Sequence, residues 1–367
     1  MLNQMITHSN QSSFSKRIPL IDILRGIALL AMTIYHFTWD LEFFGWAPPA
    51  LTLQPEWVWF ARCIAGSFLF LVGVSLVLAH GDTIRWKPFF KRLAMVAGAA
   101  ALISLVTYLT MPGGFIFFGI LHAIALFSLL GLLLLRLHWI ILLLVAVAIL
   151  VTSNTLNAVI FTEPALWWIG LAPTPPPSND YVPLFPWFSC TLAGMAVAKF
   201  ALATGLLEKL ATIEFPKFLQ SPLVFIGKHS LVYYLLHQPI LMGVIWAFTA
   251  IAGEPDKAPV FIHQCKIECS RSSTEQFCTP YCSCMAETLK QEGLFSPFMN
   301  RTLDDEGQIR LYSVRDQCVA AQNPIKERKK PATWEGVTGF ADWLSLRLRT
   351  RDGGRRMCKG LCAGTSR

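Results

Sequence analysis

Charge is what this chain has least of. Only 15% of its 367 residues are Asp, Glu, Lys or Arg, against 54% hydrophobic ones, and the mean hydropathy is +0.48. Soluble domains carry about a quarter charged residues, so a soluble globular protein is excluded and a polytopic membrane protein is implied. The first sixteen residues lack the short apolar core that marks a cleavable signal peptide, so the first span is expected to insert uncleaved. The net charge of +8 is spread along the chain without a concentrated face, so no nucleic-acid partner is expected. Lys and Arg are absent from 40–56, 112–114 and 161–186, and no internal repeat is evident.

What the chain has is apolar runs. A hydrocarbon core about 30 Å thick takes roughly 20 apolar residues per helix, and seven stretches qualify: 19–39, 57–79, 93–111, 115–135, 139–160, 187–205 and 230–252. Lipid offers backbone groups no partners, so the class expected is an all-α polytopic membrane protein of about seven transmembrane helices. Arg85, Lys87, Lys91, Arg92, Arg136, Lys199, Lys209, Lys217 and Lys228 crowd one set of connections, together with Lys16 and Arg17. The positive-inside rule then puts the N-terminus in the cytoplasm, and seven crossings put the chain from Glu254 outside. Four segments follow: a cytoplasmic tail 1–18, a membrane domain 19–253, an extracytoplasmic cysteine-rich module 254–323 and a basic tail 324–367.

Eight of the ten cysteines lie beyond the last span. Cys265, Cys269, Cys278, Cys282, Cys284 and Cys318 fall within 54 residues as C-x3-C-x8-C-x3-C-x-C-x33-C, the signature of a small disulfide module in an oxidising compartment. Six cysteines allow 15 pairings. The x3 spacings put Cys265 with Cys269, and Cys278 with Cys282, on common helix faces, which suggests two cross-linked short helices. A zinc site is the competing reading, but no matching His pair exists, and no metal is expected. In the tail, Trp334, Val337, Ala341, Leu344 and Leu348 recur at helical spacing beside Arg347, Arg349 and Arg351, as on a membrane-surface helix, but Gly336 and Gly339 weaken it and favour disorder. Cys358 and Cys362 form either a further bridge or two thiols.

Ionisable residues inside spans are costly and mark functional sites. At 1.5 Å per residue, His36 stands roughly 24 Å above the start of its span, with Arg62 and His122 at a similar level. Asp40, Glu42, Glu56 and Asp180 would ring the outer rim. Asp40 follows His36 by four residues, so on a continuing helix it shares that face and would hold the imidazole in one tautomer. The bland readings are that Arg62 pairs with Glu56 or Asp40, and that His122 makes a helix–helix hydrogen bond. At the opposite face stand Asp22, Arg25, Lys228 and His229. His237-Gln238-Pro239 interrupts the last span, the proline freeing the Leu235 carbonyl. Counted along straight helices, His237 lies roughly 13 Å below His36, out of direct reach but able to line a path. Gly66, Ser67, Gly73, Ala97 to Ala101 and Gly194 read as close helix packing.

Arg17-x-x-x-Ile21-Asp22-x-Leu24-Arg25-Gly26-Ile27-Ala28-Leu29, followed by His36-x-x-Trp39-Asp40, resembles the catalytic membrane domain of the heparan-alpha-glucosaminide N-acetyltransferase family. In that family the histidine proposed as catalytic precedes x-x-Trp-Asn, so Asp40 stands where the family has an amide. Gly119-Ile120-Leu121-His122 is similar to a Gly-Val-Leu-Gln segment, and Gly227-x-His229-Ser230-Leu231-x-x-Tyr234-x-x-His237-Gln238 to a Gly-x-Asn-Ser-Ile-x-x-Tyr-x-x-His-Glu segment. Asp180-Tyr181-x-Pro183-Leu184-x-Pro186-Trp187 resembles the bacterial relatives, which implies a bacterial inner membrane.

The resemblance implies transfer of an acetyl group from cytoplasmic acetyl-CoA, a co-substrate rather than a tightly bound cofactor, to an amine or hydroxyl of a sugar on the outer face. His36 would be nucleophile or base, Asp40 its orienting group, and Arg62 or His122 oxyanion donors. Asp22, Arg25, Lys228, His237 and Gln238 would receive the donor, and Trp39 and Asp180 the saccharide acceptor. Partners are the lipid bilayer, acetyl-CoA and that saccharide, and a homo-oligomer is compatible with the sequence. Two other classes remain: a permease whose histidines line a pathway, which would move solute without acetyl-CoA, and a scaffold that displays the cysteine module.

Overall fold

The computed structural model describes residues 19–322 apart from 82, 213, 214 and 301. Expectations for 1–18, for the stripe from Trp334 to Leu348 and for Cys358 with Cys362 lie outside the described residues. Of the described residues 78% are helical and none lies in a strand, as an all-α chain requires. They fall into two compact units, 19–41 with 50–251, and 42–49 with 252–322.

The first unit holds the apolar helices α1 (Pro19–Phe43), α2 (Pro55–His80), α3 (Trp86–Thr110), α4 (Ile120–Leu134), α5 (Trp139–Thr155), α6 (Leu184–Ala203) and α9 (Ser230–Ala252), with the short α7 (Leu206–Ala211) and α8 (Lys217–Lys228) before the last. By length and composition α1, α2, α3, α6 and α9 can cross a membrane, while α4 and α5 are apolar but have only 15 and 17 residues. At 1.5 Å per residue these two fall short of a core about 30 Å thick. The stretch from 115 is extended rather than helical up to Gly119, because the loop before α6 takes its backbone: Val182 N–H donates to the Phe118 carbonyl at 3.0 Å, and Asn179 N–H to that of Gly114 at 2.9 Å.

The core sits between α2, α4, α5 and α6 around Leu69, Leu76, Phe127, Leu142, Leu192 and Met195. Small residues let α2 and α6 approach: a Cβ added at Gly73 would fall on the Thr191 carbonyl, and one at Gly194 on that of Phe70. The same device joins α1 to α8, with Gly227 against the Asp22 carbonyl and Gly26 against that of Leu223. In the run from Ala97 to Ala101 only Ala99 and Ala100 are buried, and a Cβ at Gly98 would meet nothing, so that run packs on one side alone. Large apolar side chains such as Leu133, Leu144, Ile240 and Trp246 stay exposed, the surface a bilayer covers.

The second unit comprises α10 (Ala258–Cys269), α11 (Glu275–Gln291), α12 (Phe295–Asn300) and α13 (Asp305–Gln322) around Phe261, Cys278, Cys282, Leu289 and Val314. Cys265–Cys282 and Cys269–Cys278 are nested, stapling α10 antiparallel to α11, and Cys284–Cys318 ties α11 to α13. Lys290 pairs with Asp256 at 2.8 Å and Arg310 with Glu292 at 3.0 Å. The Asp256 carboxyl is held below its ordinary value, chiefly by the hydrogen bond from Lys290.

Candidate active site

Thr33, His36 and Asp40 occupy positions i, i+3 and i+7 of α1 and therefore share one face. On α9, Tyr233 and His237 are related by one turn, as are Tyr234 and Gln238. The two faces meet. Thr33 donates to the Leu29 carbonyl at 2.9 Å, so its hydroxyl accepts from the Tyr233 phenol at 2.7 Å. The His36 and His237 rings lie 5.0 Å apart, and Gln238 donates its amide to Asp40 Oδ1 at 2.5 Å. His237 Nδ1 is 2.6 Å from the Tyr234 carbonyl; a carbonyl can only accept, so Nδ1 carries the proton. Asp40 is completely buried. Among the described residues, Asp40 Oδ2, Gln238 Oε1 and His237 Nε2 are buried without a hydrogen-bond partner. Buried polar atoms are nearly always satisfied, so bare acceptors here suit a ligand that brings donors.

Three expectations change. His237 is a direct neighbour of His36, not 13 Å below it. The depth count set the first residue of every helix at one level, whereas Tyr233, three residues into α9, already reaches Thr33, fourteen residues into α1. Asp40 lies inside the bundle rather than at its rim, because α1 continues to Phe43 and carries it against α9. Its hydrogen bond goes across the interface to Gln238, and none among the described residues joins it to His36: a side chain with one methylene takes the amide opposite it.

The remaining candidates are dispersed. Arg62 is exposed on α2 with its guanidinium 5.4 Å over the Trp59 ring, and no described ion pair joins it to Glu56 or Asp40. His122 uses both ring nitrogens within the fold, Nδ1 accepting from Gly119 N–H and Nε2 meeting the Ser104 hydroxyl, each at 3.2 Å. It thus caps α4 and ties it to α3. Asp180 accepts from Ile120 N–H at 2.8 Å, also at the α4 N-terminus, where a carboxylate is favoured. No described contact joins Arg62 or His122 to His36. Trp39 is half-buried one residue before Asp40.

A second polar locus surrounds Ser75. Asp22 pairs with Arg25 at 3.2 Å, and Arg25 also donates to the Ser75 hydroxyl at 2.5 Å. Ser75 lines a cavity of about 180 Å³ with His80, Arg85 and Arg92, between α2, α3 and α4. His80 is buried, its Nδ1 accepting from Arg85 N–H at 3.2 Å. Lys228 lies elsewhere, exposed at the end of α8. The sequence reading had Arg85 and Arg92 only as orienting charges and missed His80 and Ser75. Thr33 and Tyr233 were also missed, although one-turn spacing from His36 and His237 marks both, and Tyr234 stood in the resembling segment without a role.

A bundle of apolar helices, five of them long and apolar enough to cross a bilayer, marks an integral membrane protein, and the buried polar cluster between two of them is its candidate site. Residues 17–239 match the family model described as heparan-alpha-glucosaminide N-acetyltransferase, catalytic. The match spans more than half the chain and includes both loci, and the protein belongs to this family of membrane acetyltransferases. No curated protein and no solved structure matched the chain.

Proposed function

We propose that the protein moves an acetyl group from cytoplasmic acetyl-CoA to an amine or hydroxyl of a saccharide on the outer face, with His36 at the reacting centre. The observation that carries this reading is the His36–His237 pair, rings 5.0 Å apart beside the buried Asp40, both histidines lying within the residues the family match covers. An imidazole in that setting can accept an acyl group or move a proton, and the bare acceptor atoms around it suit an acceptor rich in N–H and O–H groups.

The Ser75 cavity fits the donor. Arg25, Arg85 and Arg92 place three guanidinium groups around or beside it with Asp22 as the near counter-charge, a setting for phosphate groups. Its volume suits the phosphate-bearing end rather than the whole carrier. Arg25 precedes His36 by eleven residues on α1, roughly 16 Å of helix, a gap for the flexible thioester arm to bridge. The basic connections support a cytoplasmic location for this end.

The test is the full chain in lipid vesicles with radiolabelled acetyl-CoA and candidate amino sugars. Exchanging His36 for Ala should abolish transfer while the melting curve and elution volume stay unchanged. Retained transfer in His36→Ala would remove His36 from the reaction, and solute flux without acetyl-CoA would favour a permease.

A further inference from the structure

We infer that His237 is a second catalytic histidine, the base that takes the acceptor's proton while His36 carries the acetyl group. This rests on the acetyltransferase reading above and assigns the two steps to two rings.

The warrant is how each histidine is tied down. His122 shows what a structural histidine does in this fold: both nitrogens find partners within the protein, at 3.2 Å each. His237 does half of that. Its Nδ1–H is fixed on the Tyr234 carbonyl at 2.6 Å, which leaves the Nε2 lone pair bare, and that atom is buried without a partner among the described residues. A bare buried acceptor costs stability and persists where a ligand will supply a donor. The ring is also held in place: Tyr233 lies parallel to it, planes 5° apart at 6.4 Å, and Tyr234 packs at 5.5 Å. A ring fixed in orientation and tautomer, with its basic nitrogen exposed to the site, is built to take a proton. His36 has neither nitrogen engaged in a hydrogen bond among the described residues, and its ring contacts are Tyr35 at 5.7 Å and His237. It is the freer ring, suited to receive and surrender an acyl group.

The steps balance. A His36 ring nitrogen attacks the thioester carbonyl; the new C–N bond forms, the C–S bond breaks, and the departing thiolate takes the proton lost from the other His36 nitrogen. The acceptor's N–H or O–H then attacks the acetyl carbon and gives its proton to His237 Nε2. As the bond from the acetyl carbon to His36 breaks, His237 passes that proton to His36, and both rings return neutral. The 5.0 Å separation of the rings is what makes this last transfer local.

The experiment uses the full chain in lipid vesicles with radiolabelled acetyl-CoA, reading label retained on the protein separately from acetate or acetylated glucosamine released. His237→Ala and His237→Gln should still take up label at His36 but release it about 10²–10⁴-fold more slowly, so that label accumulates. His36→Ala should take up none. Release at the wild-type rate from either His237 variant overturns the assignment. So does loss of both labelling and release in a variant that elutes and melts as the wild type does. If the wild-type protein neither takes up nor releases label, the acetyltransferase reading itself falls.

Discussion

The buried Asp40 carboxylate takes its described hydrogen bond from the Gln238 amide on the neighbouring helix. Four residues after His36 it shares that ring's face by helical periodicity alone; only the arrival of α9 on this face supplies the Gln238 amide, 198 residues away. Gln238→Leu should therefore leave a buried carboxylate without its donor, a loss of roughly 1.5–3 kcal/mol for a charge-assisted bond, read as a lower melting temperature in detergent. Replacing Asp40 and Gln238 together with Leu should recover most of it, because the uncompensated group is then gone; a Gln238→Leu melt like that of the wild type would mean another donor holds Asp40. Tyr281 offers a case of the same physics in the second unit. Its hydroxyl is buried without a partner among the described residues, and burial pushes its pKa from 10.0 up to about 12. The folded state thus holds this proton more tightly than the unfolded one. Its contribution to stability is complete below pH 10 and falls as pH rises from 10 towards about 12. In an alkaline absorbance titration, Tyr281→Phe should lower the amplitude that ionises near pH 12 by one tyrosine, leaving that of Tyr181, which burial also pushes up to about 12.

Helix positions follow from apolar length, and all seven expected stretches carry a helix. Their ends follow from tertiary contacts. The stretch from 115 fails to start helical because the loop before α6 pairs with it, and α4 then begins where His122 and Asp180 meet its first N–H groups. The small residues of α2, α3 and α6 look alike in sequence and differ in the fold. Gly194→Ala should cost about 1–3 kcal/mol, since the new methyl falls on the Phe70 carbonyl of the helix opposite. Gly98→Ala should be neutral or stabilising by up to ~1 kcal/mol, since nothing stands near it and Ala is the better helix former. Paired melting curves with equal shifts would show that α2 and α6 separate to make room.

At the scale of the whole molecule, the two units have separate cores, and the family match ends at residue 239, before the second core begins at Ala258. Removing 254–367 should therefore leave labelling of His36 by acetyl-CoA measurable in the membrane unit; complete loss in a truncated protein that still folds would favour the scaffold reading. Composition determined the solvent: 15% charge and long apolar runs leave a chain of this length no place but a membrane. Cysteine spacing pointed to two cross-linked short helices and left 15 pairings open, because spacing fixes faces and not partners. Three-dimensional proximity chose the nested set. For the site, the sequence determined which residues could do chemistry, since an imidazole or carboxylate within a span needs a reason to be there. Only the tertiary structure decided which of them meet. Counting residues measures depth along one helix but says nothing of where the next helix begins. The level at which α9 starts beside α1 is what sets His237 against His36 and sends Arg62 and His122 elsewhere.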